Sequence, residues 1–263
     1  MDLHLKDKVA IISGSAGKKG SIGQVMVEAL ANEGVIPALI DRSDRGHSYL
    51  KELQDRGIDS FFTQTDVTDP VQLEASVKSI TDKYGRIDIV INNVGVNDGI
   101  GLNGSYEDFL SSIKLNLASF FMLTKCAVPF LKKSKGNILN IGSKVAITGQ
   151  GGTSGYAASK GGVLALTREW AVDLLPYGIR SNAIIISESM TPAYSDWLSS
   201  NVEGDKTLIK INNSIPFEKR MTTPQEISDT ALFLISDRSS HTTGQYVFVD
   251  GGYVHLDRAC LTG

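Results

Sequence analysis

Short runs of aliphatic and β-branched residues alternate along the chain with longer stretches whose apolar positions recur every three or four residues. The runs at 9–13, 36–41, 59–66, 87–92, 136–141, 180–186 and 246–249 predict strands. The stretches at 22–33, 70–84, 105–131, 154–175 and 224–235 predict helices. Gly34, Gly85 and Gly178 stand just past helical stretches, where a left-handed residue closes the last turn. Strand–helix alternation of this kind predicts right-handed crossovers and a parallel sheet with helices on both faces. The expected fold is therefore α/β, a Rossmann-type doubly wound sheet of about seven strands. No linker or repeat divides residues 1–263, so one domain is expected, with a short tail from about 251. The lysines at 132, 133 and 135 are expected in a solvated loop before the fifth strand.

Composition narrows the function only by exclusion. A formal net charge of −3 provides no basic footprint for nucleic acid or an anionic membrane. Hydrophobic content of 41% and charged content of 21% are ordinary for a globular chain. The cysteines, Cys126 and Cys260, form neither a disulfide framework nor a zinc pattern, so no metal site is expected. Neither a leader-like nor a spanning apolar run stands out, and a cytoplasmic location is the expectation.

The first strand runs directly into Gly14-Ser15-Ala16-Gly17-Lys18-Lys19-Gly20-Ser21-Ile22-Gly23 and then a helix. Glycines there permit a tight turn and a close backbone approach to a pyrophosphate, and the helix N-terminus favours that anion. Asp41 closes the next strand, 18 residues past Gly23. A carboxylate there can accept both ribose hydroxyls of NAD and repels a 2′-phosphate. Arg42, Lys18 and Lys19 could each pair with such a phosphate, which leaves NADP open. Asp66-Val67 can frame an adenine ring at the third strand end. Asn93 and Gly95 close the fourth, where asparagine ties strands and glycine leaves room for a cofactor.

Tyr156 and Lys160 are spaced i, i+4 in a helical stretch and share one face. An ammonium beside a phenol lowers the tyrosine pKa, which makes Tyr156 a candidate base for an alcohol proton. Ser143 ends a strand 13 residues upstream, and Asn116 lies in the preceding helix.

With these residues assembled, the chain resembles the classical short-chain dehydrogenase/reductase family over essentially its whole length. The Gly-rich turn, Asn-Asn-Val-Gly at 92–95, Ser143, Tyr-x-x-x-Lys and Asp-Gly-Gly at 250–252 carry the resemblance. It implies that Tyr156 is the base, that Lys160 lowers its pKa and holds the nicotinamide ribose, and that Ser143 orients the reacting oxygen. It also implies that Asn116 holds a proton-relaying water, and that the chain forms a homotetramer. Two departures stand out. Gly14 to Gly23 spans nine residues where the family's turn spans six, with Ser21 at the middle glycine, closer to the Ser-Ile loop of the divergent enoyl reductases. Ile22 and Gly23 then stand better placed for the cofactor than Gly17 or Gly20. Ile186-Ser187 replaces the usual Pro-Gly, although 184–191 keeps its spacing, with Ser189 and Thr191 toward the nicotinamide carboxamide.

The stretches 96–102, 148–151, 188–192 and 254–258 look like those of bacterial L-fucose dehydrogenases, which oxidise C1 of a pyranose to a lactone. A sugar ring needs fixed polar partners, and Asn97, Asp98, Lys144, Gln150 and Glu188 offer them around Tyr156. Glu188 replaces a usually neutral neighbour of the nicotinamide. His255 is expected to pack as a tail residue. A 3-oxoacyl reductase, a polyol dehydrogenase and a non-catalytic dinucleotide sensor stay open as alternatives.

Overall fold

The computed structural model describes residues 2–256; Cys260 and the last two residues of the stretch 254–258 lie outside them. Seven parallel strands form one sheet in the order β3-β2-β1-β4-β5-β6-β7. They are β1 (Val9–Ser13), β2 (Ile36–Asp41), β3 (Phe61–Gln64), β4 (Ile89–Asn92), β5 (Asn137–Ser143), β6 (Arg180–Ile186) and β7 (Tyr246–Val249). Parallel strands covered on both faces read as continuous apolar runs, and β1 and β4 are buried along their whole length. The two-residue period then divides the core. Ala10 and Ile12 face the layer of α1 (Ile22–Asn32) and α10 (Pro224–Ile235). Val9 and Ile11 face α3 (Pro70–Tyr84), α5 (Ser119–Ser134) and α7 (Ser154–Asp173).

Chain order reverses between β1 and β4, and the crevice beyond the strand ends at that point is where such sheets bind ligands. Asn92, fully buried at the end of β4, locks this region. Its amide donates to Thr124 Oγ1 at 3.0 Å and to Asn140 Oδ1 on β5 at 2.8 Å. Asn92→Ala leaves both acceptors short of a donor. The variant is expected to lose about 1–3 kcal/mol in denaturant titration with kcat nearly unchanged.

Several elements differ from expectation. The third strand pairs only over Phe61–Gln64, because Asp59 is turned outward to Lys83 and Tyr84. The long helix after β4 is α4 (Tyr106–Ile113), a π-helical turn (Lys114–Ala118) and α5, which continues to Ser134. Lys132 and Lys133 therefore sit in its last turn, where they suit the helix dipole, and Lys135 closes it at φ 52°. This continuous helix, Tyr106–Ser134, is long and apolar enough to cross a membrane, yet Phe120, Leu123, Ala127 and Leu131 bury it against the sheet. Cys126 packs half-buried on the same core, and burial raises its thiol pKa. The remaining helices are α2 (Arg45–Asp55), α6 (Val145–Thr148), α8 (Pro192–Ser199) and α9 (Gly204–Asn213).

Candidate active site

The cofactor end is built by close backbone approach. Gly14 has φ +68°, and a Cβ on it would stand 2.9 Å from Val94 Cα. Asn93 donates its amide to the carbonyls of Ser13 and Gly14, each at 3.0 Å, fastening β4 to β1. Ser21 caps α1 by accepting from the Gln24 N–H, and Ile22 opens the helix. A Cβ on Gly23 would lie 2.0 Å from Gly14 O. Gly23 is buried there, and its missing side chain lets α1 pack on the turn after β1.

Asp41 ends β2 half-buried, its carboxylate accepting from the N–H groups of Ala16 at 2.8 Å and Ser43 at 2.9 Å. It thereby braces the Gly-rich loop as well as facing the crevice mouth. Arg42 and Lys19 are exposed beside it, while Lys18 pairs across to Asp196 of α8. The exposed Asp66 carboxylate is folded into a turn, accepting from the N–H and hydroxyl of Thr68, and Val67 is buried. A Cβ on Gly95 would meet Asn116 Oδ1 and Lys160 Nζ, each at 3.3 Å. Thr191 spends its hydroxyl capping α8, accepting from Tyr194 N–H at 3.2 Å. The buried hydroxyls of Ser187 and Ser189 have no partner among the described residues. A dinucleotide suits this lining: glycines that a side chain would block, a half-buried carboxylate at the end of β2, and two buried hydroxyls beyond β6 without a partner among the described residues.

At the chemical end, β5 closes on Ser143, paired in register with Ile186. Tyr156 and Lys160 stand one turn apart on α7, and the missing side chain of Gly155 lets this helix press on Ser112 of α4. Lys160 is wholly buried and donates to the Ile141 carbonyl at 2.8 Å, its ammonium 5.0 Å from the Phe120 ring centre and 5.5 Å from that of Tyr156. Burial without a carboxylate partner pulls its pKa down to about 7. Burial likewise pushes the Tyr156 phenol up to about 12; the Ser143 hydroxyl works against this and the Asp98 charge adds to it. The expectation that Lys160 brings Tyr156 toward neutrality is thus corrected for the protein alone. Burial leaves the lysine only partly charged at neutral pH, and it donates to the backbone.

Asn116 sits in the π-helical turn, fully buried. Its Oδ1 accepts from Val96 N–H at 2.8 Å and its Nδ2 donates to Val96 O at 3.1 Å and to Ser112 O. The side chain therefore pins the loop after β4. A π turn shifts a helical side chain off its regular position, a feature frequent at functional sites.

Of the expected substrate residues, Lys144 and Glu188 meet and Asn97 and Gln150 do not join them. Lys144 follows Ser143 directly, and its ammonium pairs with Glu188 beyond β6. Both side chains are largely buried, at 9% and 14% exposure. Asn97 and Gln150 lie exposed on two loops that touch where Gly101 rests on Gly152. Asp98 is exposed and shapes its own turn by accepting from Ile100 N–H. His255 packs edge-on to Phe248, ring centres 4.1 Å apart. Two residues that the sequence did not single out belong here. Tyr194 donates its hydroxyl to Glu188 Oε2 at 2.6 Å, and the Tyr253 ring lies 4.2 Å from Lys144 Nζ. A tyrosine three residues past a Thr-Pro helix start was the available signal for Tyr194.

The family model described as enoyl-(acyl carrier protein) reductase matches residues 15–254. The 3-oxoacyl-(acyl-carrier-protein) reductase of Thermotoga maritima is 34% identical over 96% of this chain and 100% of its own length. The L-fucose dehydrogenase of Rattus norvegicus is 31% identical over 93% of this chain and 88% of its own. Among solved structures, the Cj0485 dehydrogenase superposes with a TM-score of 0.93 at 42% identity, covering 98% of both chains. The aldohexose dehydrogenase of Thermoplasma acidophilum gives 0.87 at 27% identity, again over 98% of both.

Proposed function

The chain belongs to the short-chain dehydrogenase/reductase family of NAD(P)-dependent oxidoreductases acting on CH–OH groups, and we propose that it oxidises the anomeric C1 hydroxyl of a pyranose, L-fucose or a close relative, to the lactone. The observation that carries this assignment is the charged, hydrogen-bonded floor of Lys144, Glu188 and Tyr194 beside Ser143. A polyol can satisfy the donor and acceptor positions that these groups do not spend on one another, whereas an acyl chain would leave those positions unmet out of water, at ~1–3 kcal/mol each. The likeness to an L-fucose dehydrogenase and an aldohexose dehydrogenase supports the same substrate class.

The roles follow from position. Ser143 holds the reacting hydroxyl, and Tyr156 Oη removes its proton while C1 gives up a hydride. NAD supplies the hydride acceptor and, when bound, a positive ring that favours the phenolate. Lys160 holds the ribose of the same nucleotide, and Asn116 fixes the wall of the crevice and holds the proton-relaying water. Gly14, Ser21, Ile22, Asp66, Val67, Asn93, Gly95, Ser189 and Thr191 line the nucleotide's path. NAD is preferred over NADP because Asp41 stands at the ribose. Asp41→Asn is expected to raise KM for NAD about tenfold and to shift the NADP/NAD ratio of kcat/KM at least as far, read from initial rates with each cofactor.

A homotetramer fits the apolar surface of the helical layer. Leu110, Phe121 and Val172 are exposed there, and Phe121 borders a groove of about 240 Å³ between α5 and α7. The test of function is reduced-nicotinamide absorbance with L-fucose, D-arabinose and L-galactose against either cofactor. NAD-linked turnover of these sugars is expected. Turnover of 3-oxoacyl thioesters with no aldose activity would overturn the assignment.

A further inference from the structure

The Lys144–Glu188 pair is joined from four places in the chain. Lys144 comes from the end of β5, Glu188 from the end of β6, Tyr194 from the first turn of α8 and Tyr253 from the turn after β7. Its hydrogen bonds are only partly used. Glu188 has one protein partner on each oxygen, which leaves a second lone pair on each. The Lys144 ammonium spends one N–H on Glu188 and faces the Tyr253 ring, leaving at least one N–H to donate. Acceptors and donor thus stand side by side, with the charges balanced and most of the pair out of water. Above them, Tyr194 meets Trp197 edge-on at 5.3 Å, and Trp197 is half exposed, an apolar face beside the polar floor.

We propose that Tyr194 is a positioning residue for substrate selection: its phenol, with Lys144, holds the Glu188 carboxylate as a fixed acceptor for hydroxyls at the non-reacting end of a neutral polyol, and the balanced pair turns away anionic sugars. This rests on the aldose assignment above. A vicinal diol on a sugar ring presents O–H donors and oxygen acceptors on adjacent carbons, so it can donate to the Glu188 carboxylate and accept from the Lys144 ammonium at once. A substrate carboxylate would instead meet the Glu188 charge where little water screens it, and Lys144 is already neutralised. Tyr194 is suited to the holding role because burial, together with the Glu188 carboxylate, raises its pKa well above the ordinary tyrosine value. It therefore remains a donor across the working range of pH.

The test compares L-galactose with L-galacturonate, the uronate of the same ring stereochemistry, in three proteins. The wild type is expected to use the neutral sugar and to discriminate against the uronate by at least a hundredfold in kcat/KM. Tyr194→Phe is expected to raise KM for L-galactose about tenfold while kcat and KM for NAD stay within about threefold. Glu188→Gln removes the carboxylate charge and frees Lys144, so the uronate/aldose ratio of kcat/KM is expected to rise at least tenfold. Equal use of both sugars by the wild type would overturn the proposal, as would an unchanged KM in Tyr194→Phe or a loss of kcat and NAD affinity together. These results would leave the aldose assignment standing. Absence of any aldose turnover by the wild type would remove both.

Discussion

Replacing Tyr156 by phenylalanine is expected to lower kcat between about 10²- and 10⁴-fold while the dissociation constant for NAD changes by less than about threefold. The ring stays, so packing on α7 is kept, and only the atom that takes the proton is lost. Tyr156 Oη has Ser143 as its hydroxyl neighbour, and Ser143 acts on the phenol in the direction that favours ionisation. In the protein alone the phenol is held up at about 12 by burial. The ionised base must therefore be created by positive charge brought close to it. Activity is accordingly expected to rise with pH on its acidic side, as deprotonation of Tyr156 becomes easier, and that limb should vanish in the residual rate of Tyr156→Phe. Single-turnover rates across pH, together with NAD titration by fluorescence, separate the two quantities. A variant that retained most of the wild-type kcat would remove Tyr156 from the role of base.

Lys160→Met is expected to make the enzyme more stable and nearly inactive. Burial depresses the ammonium from 10.5 to about 7. Below pH 7 both folded and unfolded chains carry the proton, and the folded chain bears the full desolvation cost. Between about 7 and 10.5 only the unfolded chain holds it, so stability rises with pH; above 10.5 the cost is gone. At ~1.4 kcal/mol per tenfold change in proton affinity, the cost is on the order of 3–5 kcal/mol below pH 7. Losing the bond to Ile141 O offsets about 1 kcal/mol of the relief. Lys160→Met should thus gain roughly 2–4 kcal/mol near pH 7 and show a flatter stability profile from pH 7 to 10. Its kcat/KM should fall on the order of 10²- to 10³-fold, since the ribose contact and the nearby charge go together. Denaturant titrations at pH 6, 8 and 10 read the first effect. A variant less stable than wild type at pH 6 would show that the buried lysine is held for packing and hydrogen bonding, without a desolvation cost. The pattern is that of a residue kept for chemistry at the expense of the fold.

How far the molecule was legible in its sequence follows from what kind of contact each feature needs. β1, β2, β6 and β7 fall on the residues expected, because each carries a run of aliphatic or β-branched residues that stops at a polar or glycine-containing turn. Helices with N-caps and proline starts, such as Asp69-Pro70 and Thr223-Pro224, announced their own boundaries. α2 went unread because Tyr49 and Leu53 are its only large buried residues, too few to set a period. The π-helical turn around Asn116 carries no propensity signal; it arises from how α4 and α5 settle on α7 and the loop after β4. At the site, Tyr156 and Lys160 share one turn of helix, so local spacing was enough. Lys144 and Glu188 are 44 residues apart, and each could be suspected from its strand end while their pairing could not. Gly23 shows a related limit. The glycine was legible, but whether it makes room for a phosphate or for the turn after β1 depends on how that lengthened turn folds back on α1.

The most direct test of the account is hydride transfer from C1. L-Fucose deuterated at C1 is incubated with the enzyme and NAD, and the reduced cofactor is isolated and weighed by mass spectrometry. Oxidation at the anomeric carbon requires one deuterium on the reduced nicotinamide, with the lactone as co-product. Unlabelled reduced cofactor, or none formed, would contradict it.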